Sequence, residues 1–287
     1  MSVRIVADST CDLPAEIVAR YGITVVPLYI NVGSQGYLDG VDMTRTEFYE
    51  KLPTFPVHPT TALPSTDKFQ AAYESLGDEG ATQILSIHIS SALSGLVDVA
   101  RMAAKETNSV AVSVFDSRQL SLGTGFLVET AGKMAAAGHT VAEILSALND
   151  QVKRSHVFAV LDTLEFLQRS GRMNRIMANL GTLLQLRPIL TMYDGKPGNE
   201  RVRTRKRATQ RLLEMLAKVG MLERIAILHT HAPERVADLR DLIAGLFPGQ
   251  DILVADITPV IGAHIGPGAF GFAAVGLKGS SSSYEEK

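Results

Sequence analysis

The chain has 287 residues, of which 46% are hydrophobic and 20% charged, with one cysteine and no tryptophan. This composition excludes a disordered or collagen-like chain and an internal disulfide framework, and at about 150 residues per domain the length implies two domains. The net charge of −2 hides an asymmetry: from Lys153 to Arg211 there are 13 Lys or Arg against 4 Asp or Glu, a local +9 in a background of −11, and such a stretch is expected to meet an anion or the protein's own acidic surface.

Val3 to Ala7 is a short apolar run and predicts a strand that stops at Asp8-Ser9-Thr10. A helix is expected from Pro14 to Tyr21, where proline suits the first turn. Ile23 to Ile30 is β-branched and apolar and reads as the next strand. Pro53, Pro56, Pro59 and Pro64 mark an irregular stretch, after which Ser65 or Thr66 caps a helix through Leu76. Ile84 to Ile89 is a strand, Ser90 to Gly95 a turn of small polar residues, Leu96 to Glu106 a helix and Val110 to Phe115 a strand. Two helices follow, Gly125 to Ala137 and Thr140 to Arg154. Strands alternating with helices imply a parallel sheet covered on both faces.

A second unit begins near His156. Strands are expected at Val157 to Leu161 and Pro188 to Met192 with a helix from Arg175 to Gln185 between them, and a hairpin turn at Asp194 to Gly198. A helix from Arg207 to Val219, a strand from Arg224 to Leu228, a helix from Pro233 to Leu246 and a strand from Asp251 to Ile257 complete the alternation. Ile257 to Leu277 then runs 21 residues without Lys, Arg, Asp or Glu, long enough to cross a bilayer. Its five Gly and two Pro would break a lone helix, so it reads as a buried loop followed by a strand, with no membrane span. The expected fold class is α/β: an N-terminal parallel-sheet domain over 1–155, a C-terminal α/β domain over 156–279 and a mobile serine-rich tail over 280–287. No signal peptide fits the first residues, and the lone Cys11 suits a reducing compartment, so the expected location is the cytoplasm.

Neither a dinucleotide fingerprint nor a P-loop nor a Gly-x-Ser-x-Gly elbow is present. His229-x-His231 places two imidazoles near a strand end but names no third ligand, so no metal is expected. Three segments carry more. Ser90-Ser91-Ala92-Leu93-Ser94-Gly95 joins a strand to a helix, where hydroxyls and free N–H groups can grip an anion or simply cap the helix. Gly262-Ala263-His264-Ile265-Gly266-Pro267-Gly268 lets backbone approach closely and sets one imidazole among apolar residues. Arg169-Ser170-Gly171-Arg172 and Arg201-Val202-Arg203-Thr204-Arg205-Lys206-Arg207 offer guanidinium forks for phosphate or carboxylate. The runs lack interleaved aromatics and the remaining chain would repel a polyanion, so nucleic acid is not expected as a partner.

Taken in order, Ala7-Asp8-Ser9-Thr10-Cys11-Asp12-Leu13-Pro14, Thr61-Ala62-Leu63-Pro64-Ser65, Ile89 to Gly95, Phe115-Asp116-Ser117, Leu161 to Leu167 with Gly171-Arg172, Val202 to Ala208, and Pro259 to Ala269 span nearly the full length. This series resembles the DegV family of bacterial fatty-acid-binding proteins, some of which are the acyl-carrying subunit of a two-component fatty acid kinase. The resemblance implies two α/β domains with a long-chain fatty acid held between them, no cofactor besides that ligand, and a kinase catalytic subunit as partner. It implies that Thr61, Ser94, Gly95 and His264 bind the carboxylate, and that Arg172 and Arg203 contact the kinase or the acyl phosphate. Ala62, Leu96, Val97 and Ser170 depart from the family's usual residues and leave that carboxylate grip intact. The protein is then a lipid-binding protein without catalytic residues of its own. The alternative is a serine hydrolase acting on acyl substrates through Ser94 and His264, with Asp8 or Asp116 as the orienting acid.

Overall fold

The computed structural model describes residues 2–173, 187–245, 247 and 252–279. The helix expected from Arg175 to Gln185 and the tail over 280–287 lie outside the described residues.

The chain opens with β1 (Val3–Asp8), α1 (Ala15–Arg20) and β2 (Thr24–Val26). A small excursion follows: β3 (Tyr29–Val32), β4 (Gln35–Leu38), α2 (Arg45–Lys51) and β5 (Thr60–Ala62). It returns through α3 (Thr66–Asp78), β6 (Gln83–His88), α4 (Leu96–Glu106), β7 (Ala111–Asp116), α5 (Leu122–Ala136) and α6 (Val141–Val152). The second half runs β8 (Ser155–Val160), α7 (Glu165–Arg169), the hairpin β9 (Arg187–Tyr193) and β10 (Lys196–Val202), α8 (Arg205–Val219), β11 (Leu222–His229), α9 (Pro233–Ala244), β12 (Ile252–Asp256), α10 (Pro259–Ile265) and β13 (Phe270–Gly276).

The first sheet is the parallel one the alternation predicts, in the order β2-β1-β6-β7. Its central strands are covered on both faces: Val6, Ala7, Ile84, Leu85 and Ile87 are fully buried. The expected single strand from Ile23 to Ile30 is instead two strands in two sheets. Pro27 has no N–H to continue the ladder, and the chain turns there from β2 into β3. The stretch around the four prolines is likewise not all irregular, because β5 pairs with β3 in a separate sheet ordered β4-β3-β5.

Among the described residues, the second sheet has six strands in the order β10-β9-β8-β13-β11-β12, and only the β11–β12 pair is parallel. All seven residues of β13 are buried, since this strand sits between β8 and β11. That placement explains the charge-free run near the C-terminus: it is a sheet's centre. The segment before it is the short helix α10 and not a loop, started by Pro259 at its first turn. Among the described residues, no helix is long and apolar enough to cross a membrane.

The two sheets share a core. Ten of the fifteen residues of α5 are buried, as expected of a helix apolar around its circumference, and it touches β1 and β6 on one side and β8 and β13 on the other. Phe126, Leu127, Ile87, Val157 and Ala273 belong to one continuous hydrophobic cluster. Arg224 ties the junction further, stacking 4.2 Å over Phe126 and pairing with the buried Glu129.

Candidate functional site

Strands of a parallel sheet deliver their carboxyl ends to one edge, and ligands gather there. Here β1 ends in a 3-10 turn at Ser9–Cys11, whose Thr10 N–H is capped by Asp8 Oδ1 at 2.9 Å. Strand β6 ends in the Ser90–Gly95 turn, closed by Ser94 N–H to the Ser90 carbonyl at 3.1 Å. Asp8 accepts from Ile89 N–H at 3.1 Å, and Asp116, at the end of β7, accepts from the Ser91 hydroxyl at 2.5 Å. The turn is therefore held by two carboxylates from neighbouring strands.

Thr10, Ile89, Ser94 and Gly95 face Thr61 of β5 and His264 of α10 across a cavity of about 260 Å³, and Arg172 completes its polar end. Thr61 Oγ1 and His264 Nε2 are 2.9 Å apart although 203 residues separate them in the chain. His264 Nδ1 is buried and meets no hydrogen-bond partner among the described residues. Burial first, then the charges of Arg172 and His58, push the His264 imidazolium down to about 3, so the ring is neutral near pH 7. A neutral imidazole has one N–H and threonine one O–H. The pair uses one of the two internally and keeps the other for a ligand. Ser94 Oγ accepts the Leu96 N–H of α4 at 3.3 Å, which leaves its own hydroxyl proton for another acceptor.

The turn after α10 needs its glycine. Gly266 has φ +77°, and a Cβ there would lie 2.5 Å from the Phe166 ring. This close approach lets His264 end its helix against α7.

The rest of the cavity is apolar: Leu28, Leu93, Leu120, Val260, Ile261 and Ile265 line it, and Leu63, 39% exposed, stands at its mouth. A second, smaller cavity of about 70 Å³ shares Leu93, Leu120, Ile261 and Ile265 as a wall and continues among Val157, Leu161, Leu190, Met192 and Leu228. The larger cavity carries the polar groups, and the smaller one beside it is lined mostly by apolar side chains, several of them from the second sheet.

Thr61, Ser94, Gly95, His264 and Arg172 line the same cavity. Arg172 also donates to the Ser170 carbonyl at 2.7 Å. Arg203 is exposed and does not line the cavity. The basic stretch meets acid within its own half of the chain: Asp162 receives Arg187 at 2.7 Å and Arg205 at 3.0 Å, Glu214 receives Arg207 at 2.7 Å, and Glu200 receives Arg211 at 2.7 Å. One contributor that sequence reasoning missed is His58. Its ring sits 5.3 Å from Phe166, and its charge is among the causes that lower His264. It lies before a proline, outside every recognisable motif.

The geometry does not favour a hydrolase built on Ser94 and His264 with Asp8 or Asp116. His264 bonds Thr61 and no carboxylate orients its Nδ1 among the described residues, while Asp8 is committed to His88 at 3.0 Å and Asp116 to Ser91. His229 Nδ1 accepts the Ala232 N–H at 3.2 Å and His231 stacks on Tyr49 at 5.7 Å, and no group of metal-ligating side chains occurs among the described residues.

Comparison with known proteins places this arrangement. The sequence profile of the DegV family, described as uncharacterised proteins, matches residues 2–276. A DegV domain-containing protein of Streptomyces coelicolor, SCO2569, is 36% identical over 274 residues, covering 94% of this chain and 96% of its own. A DegV family protein from Thermus thermophilus, described by its fatty acid binding, superposes with a TM-score of 0.87 at 35% identity, covering 96% of this chain and 100% of that one. DegV of Bacillus subtilis, described as a fatty acid binding protein, gives 0.89 at 29% identity with the same coverage. With a shared profile over almost its whole length and the same fold as these proteins, the chain belongs to the DegV family.

Proposed function

We propose that the chain binds a long-chain fatty acid and presents its carboxylate to a partner kinase for acyl-phosphate formation, with no chemistry of its own. The carboxylate would sit against Thr61, His264, Ser94 and Gly95, and the tail would follow the apolar wall toward the second sheet, between a domain of residues 1–155 and one of residues 156–279. One observation carries this reading: a cavity lined by hydroxyls, an amide, a neutral imidazole and the Arg172 guanidinium together with aliphatic side chains, next to a smaller, almost wholly apolar one that shares four of its residues. The fatty-acid-binding descriptions of the Thermus and Bacillus relatives support it.

The energetics divide in the same way. Each buried methylene is worth about 0.8 kcal/mol, so a long acyl chain offers on the order of 10 kcal/mol before ordering costs. The neutral donors add orientation more than affinity. A headgroup held without a catalytic constellation is left available to a second protein. Arg172 at the cavity rim and the exposed Arg203 are the residues we assign to the kinase face or the nascent phosphate. This role belongs in the cytoplasm, where ATP is available.

Mass spectrometry of lipids released from the denatured protein tests the binding step. One fatty acid per chain, or stoichiometric uptake of added palmitate, is the expected result. No lipid and no uptake would overturn it. Acyl phosphate formed from the bound acid on adding a fatty acid kinase and ATP tests the second step, and its absence with a loaded protein would remove the kinase role while leaving the binding role.

A further inference from the structure

We propose that Asp12 is a positioning residue for the headgroup site: with Arg45 it clamps the start of α10 and so sets where His264 stands against Thr61. The proposal takes its ligand from the fatty-acid reading above.

Asp12 follows β1 and is fully buried in its side chain. Three parts of the chain donate to its carboxylate. Ser121, at the start of α5, donates its hydroxyl at 2.6 Å. Arg45 of α2 approaches at 3.1 Å. The backbone N–H of Thr258, the residue just before α10, donates at 2.9 Å. Thr258 is held a second time, because its hydroxyl donates to Asp39, and Arg45 also donates to the Asp256 carbonyl. The Tyr49 hydroxyl donates to the Ile257 carbonyl, just before Thr258, at 2.9 Å, and a Cβ at Gly262 within the helix would collide with Tyr49. The helix α10 has only seven residues. It is pinned at its start by Asp12 and Asp39 and at its middle by Tyr49, and His264 stands in its last turn.

None of Asp12, Asp39, Arg45, Tyr49 or Thr258 lines the headgroup cavity. Through Thr258 their effect reaches it along α10, which carries His264. Hydrogen bonds lose most of their strength outside about 2.7–3.2 Å, so a shift of α10 by about 1 Å would undo the Thr61–His264 pair.

The clamp is also expensive, which argues that something depends on it. A buried ion pair is on average no more stabilising than apolar side chains of the same volume. Burial pushes Asp12 up to about 6 even though Arg45, Ser121 and Thr258 pull it down. Asp12 is left-handed with φ 56°, Ser121 also has a positive φ of 49°, and the two are hydrogen-bonded to each other. Non-glycine residues in that region cost about 1–3 kcal/mol each and persist where the geometry serves a site.

Asp12→Asn tests the proposal, because asparagine keeps the size and can still accept the Thr258 N–H while losing the charge that holds Arg45. Arg45→Met removes the other half and stands in should the first variant fold poorly. Palmitate binding is compared with binding of hexadecanol, which keeps the tail and lacks the carboxylate, and amide hydrogen exchange is followed over 260–265. Expected are a loss of about three- to tenfold for palmitate, less than twofold for hexadecanol, and faster exchange in α10. Equal losses for both ligands, or no loss for palmitate, would overturn the positioning role. If the wild-type chain binds neither ligand, the fatty-acid reading fails by itself. Exchange in α10 then still decides the clamp, and unchanged exchange in both variants overturns it.

Discussion

Two histidines in this protein, His88 fully buried and His264 half-buried, differ in how completely their ring nitrogens are satisfied. His88 lies at the end of β6 with both ring nitrogens occupied, Nδ1 by Asp8 at 3.0 Å and Nε2 by the Ser86 hydroxyl at 2.7 Å, and Tyr73 closes the chain by donating to Ser86 at 2.8 Å. This Asp-His-Ser sequence has the connectivity of a catalytic triad and none of its access, since Asp8, Ser86 and His88 are all 0% exposed. His264 has one nitrogen on Thr61 and the other without a partner among the described residues, beside a cavity. A saturated polar network rigidifies, whereas an unsatisfied buried polar atom at a cavity wall calls for an explanation, and a ligand supplies one.

The comparison breaks most visibly at Asp8. Burial raises this carboxyl, but the hydrogen bond and charge of His88, with donors from Thr10 and Ile89, hold it below the ordinary carboxylate range overall. Asp8→Ala would leave His88, Thr10 and Ile89 without their common acceptor, at a cost of about 3–5 kcal/mol. Urea unfolding measures it, and a loss under about 1 kcal/mol would show that the network is not structural. The sign with pH follows. The stability from a depressed carboxyl is present above its unfolded value near 3.8 and disappears as pH falls through the folded value.

His264 acts in a different pH window. It is neutral when folded and titrates near 6.5 when unfolded, so the unfolded chain binds the extra proton between about 3 and 6.5. Stability must therefore fall as pH drops below 6.5. Allowing for partial exposure, its share between pH 6.5 and 5 is about 1–2 kcal/mol. Unfolding free energies of wild type and His264→Gln at both values should differ in slope by that amount, and parallel slopes would refute a neutral buried ring.

Much of the first sheet is legible because its strands end in polar clusters and its helices begin at caps. Ser94 and Gly95 stand out for the same reason, at a strand-to-helix turn. What is not legible depends on distance in the chain. Nothing local at Thr61 announces a partner at His264. The break at Pro27 was readable as a missing N–H, but its destination in a second sheet was not. The run of arginines is expected to meet either an external anion or the protein's own acidic surface, and for Arg187, Arg205, Arg207 and Arg211 the acid is internal: Asp162, Glu200 and Glu214. Asp12 is the extreme case: a polar residue among polar residues, whose three partners come from Ser121, Arg45 and Thr258.

The same contrast predicts that removing the open histidine harms binding and spares the fold. His264→Ala should weaken palmitate about tenfold, or about 1.4 kcal/mol, and change stability at pH 7 by less than about 0.5 kcal/mol. Calorimetric titration and thermal unfolding give the two numbers. An affinity unchanged within twofold would move the headgroup elsewhere.

The smallest expected effect on binding is at Ser94. Its hydroxyl oxygen already accepts the Leu96 N–H, and under the proposed function the tail would carry most of the binding energy. Ser94→Ala should weaken palmitate by about threefold at most, under about 0.7 kcal/mol. Acyl-phosphate formation with a kinase should fall by a larger factor, because orientation matters more for phosphoryl transfer than for retention of the acid. A ratio of the two losses near one, at any size, would mean that Ser94 contributes to holding the ligand and nothing to aiming it.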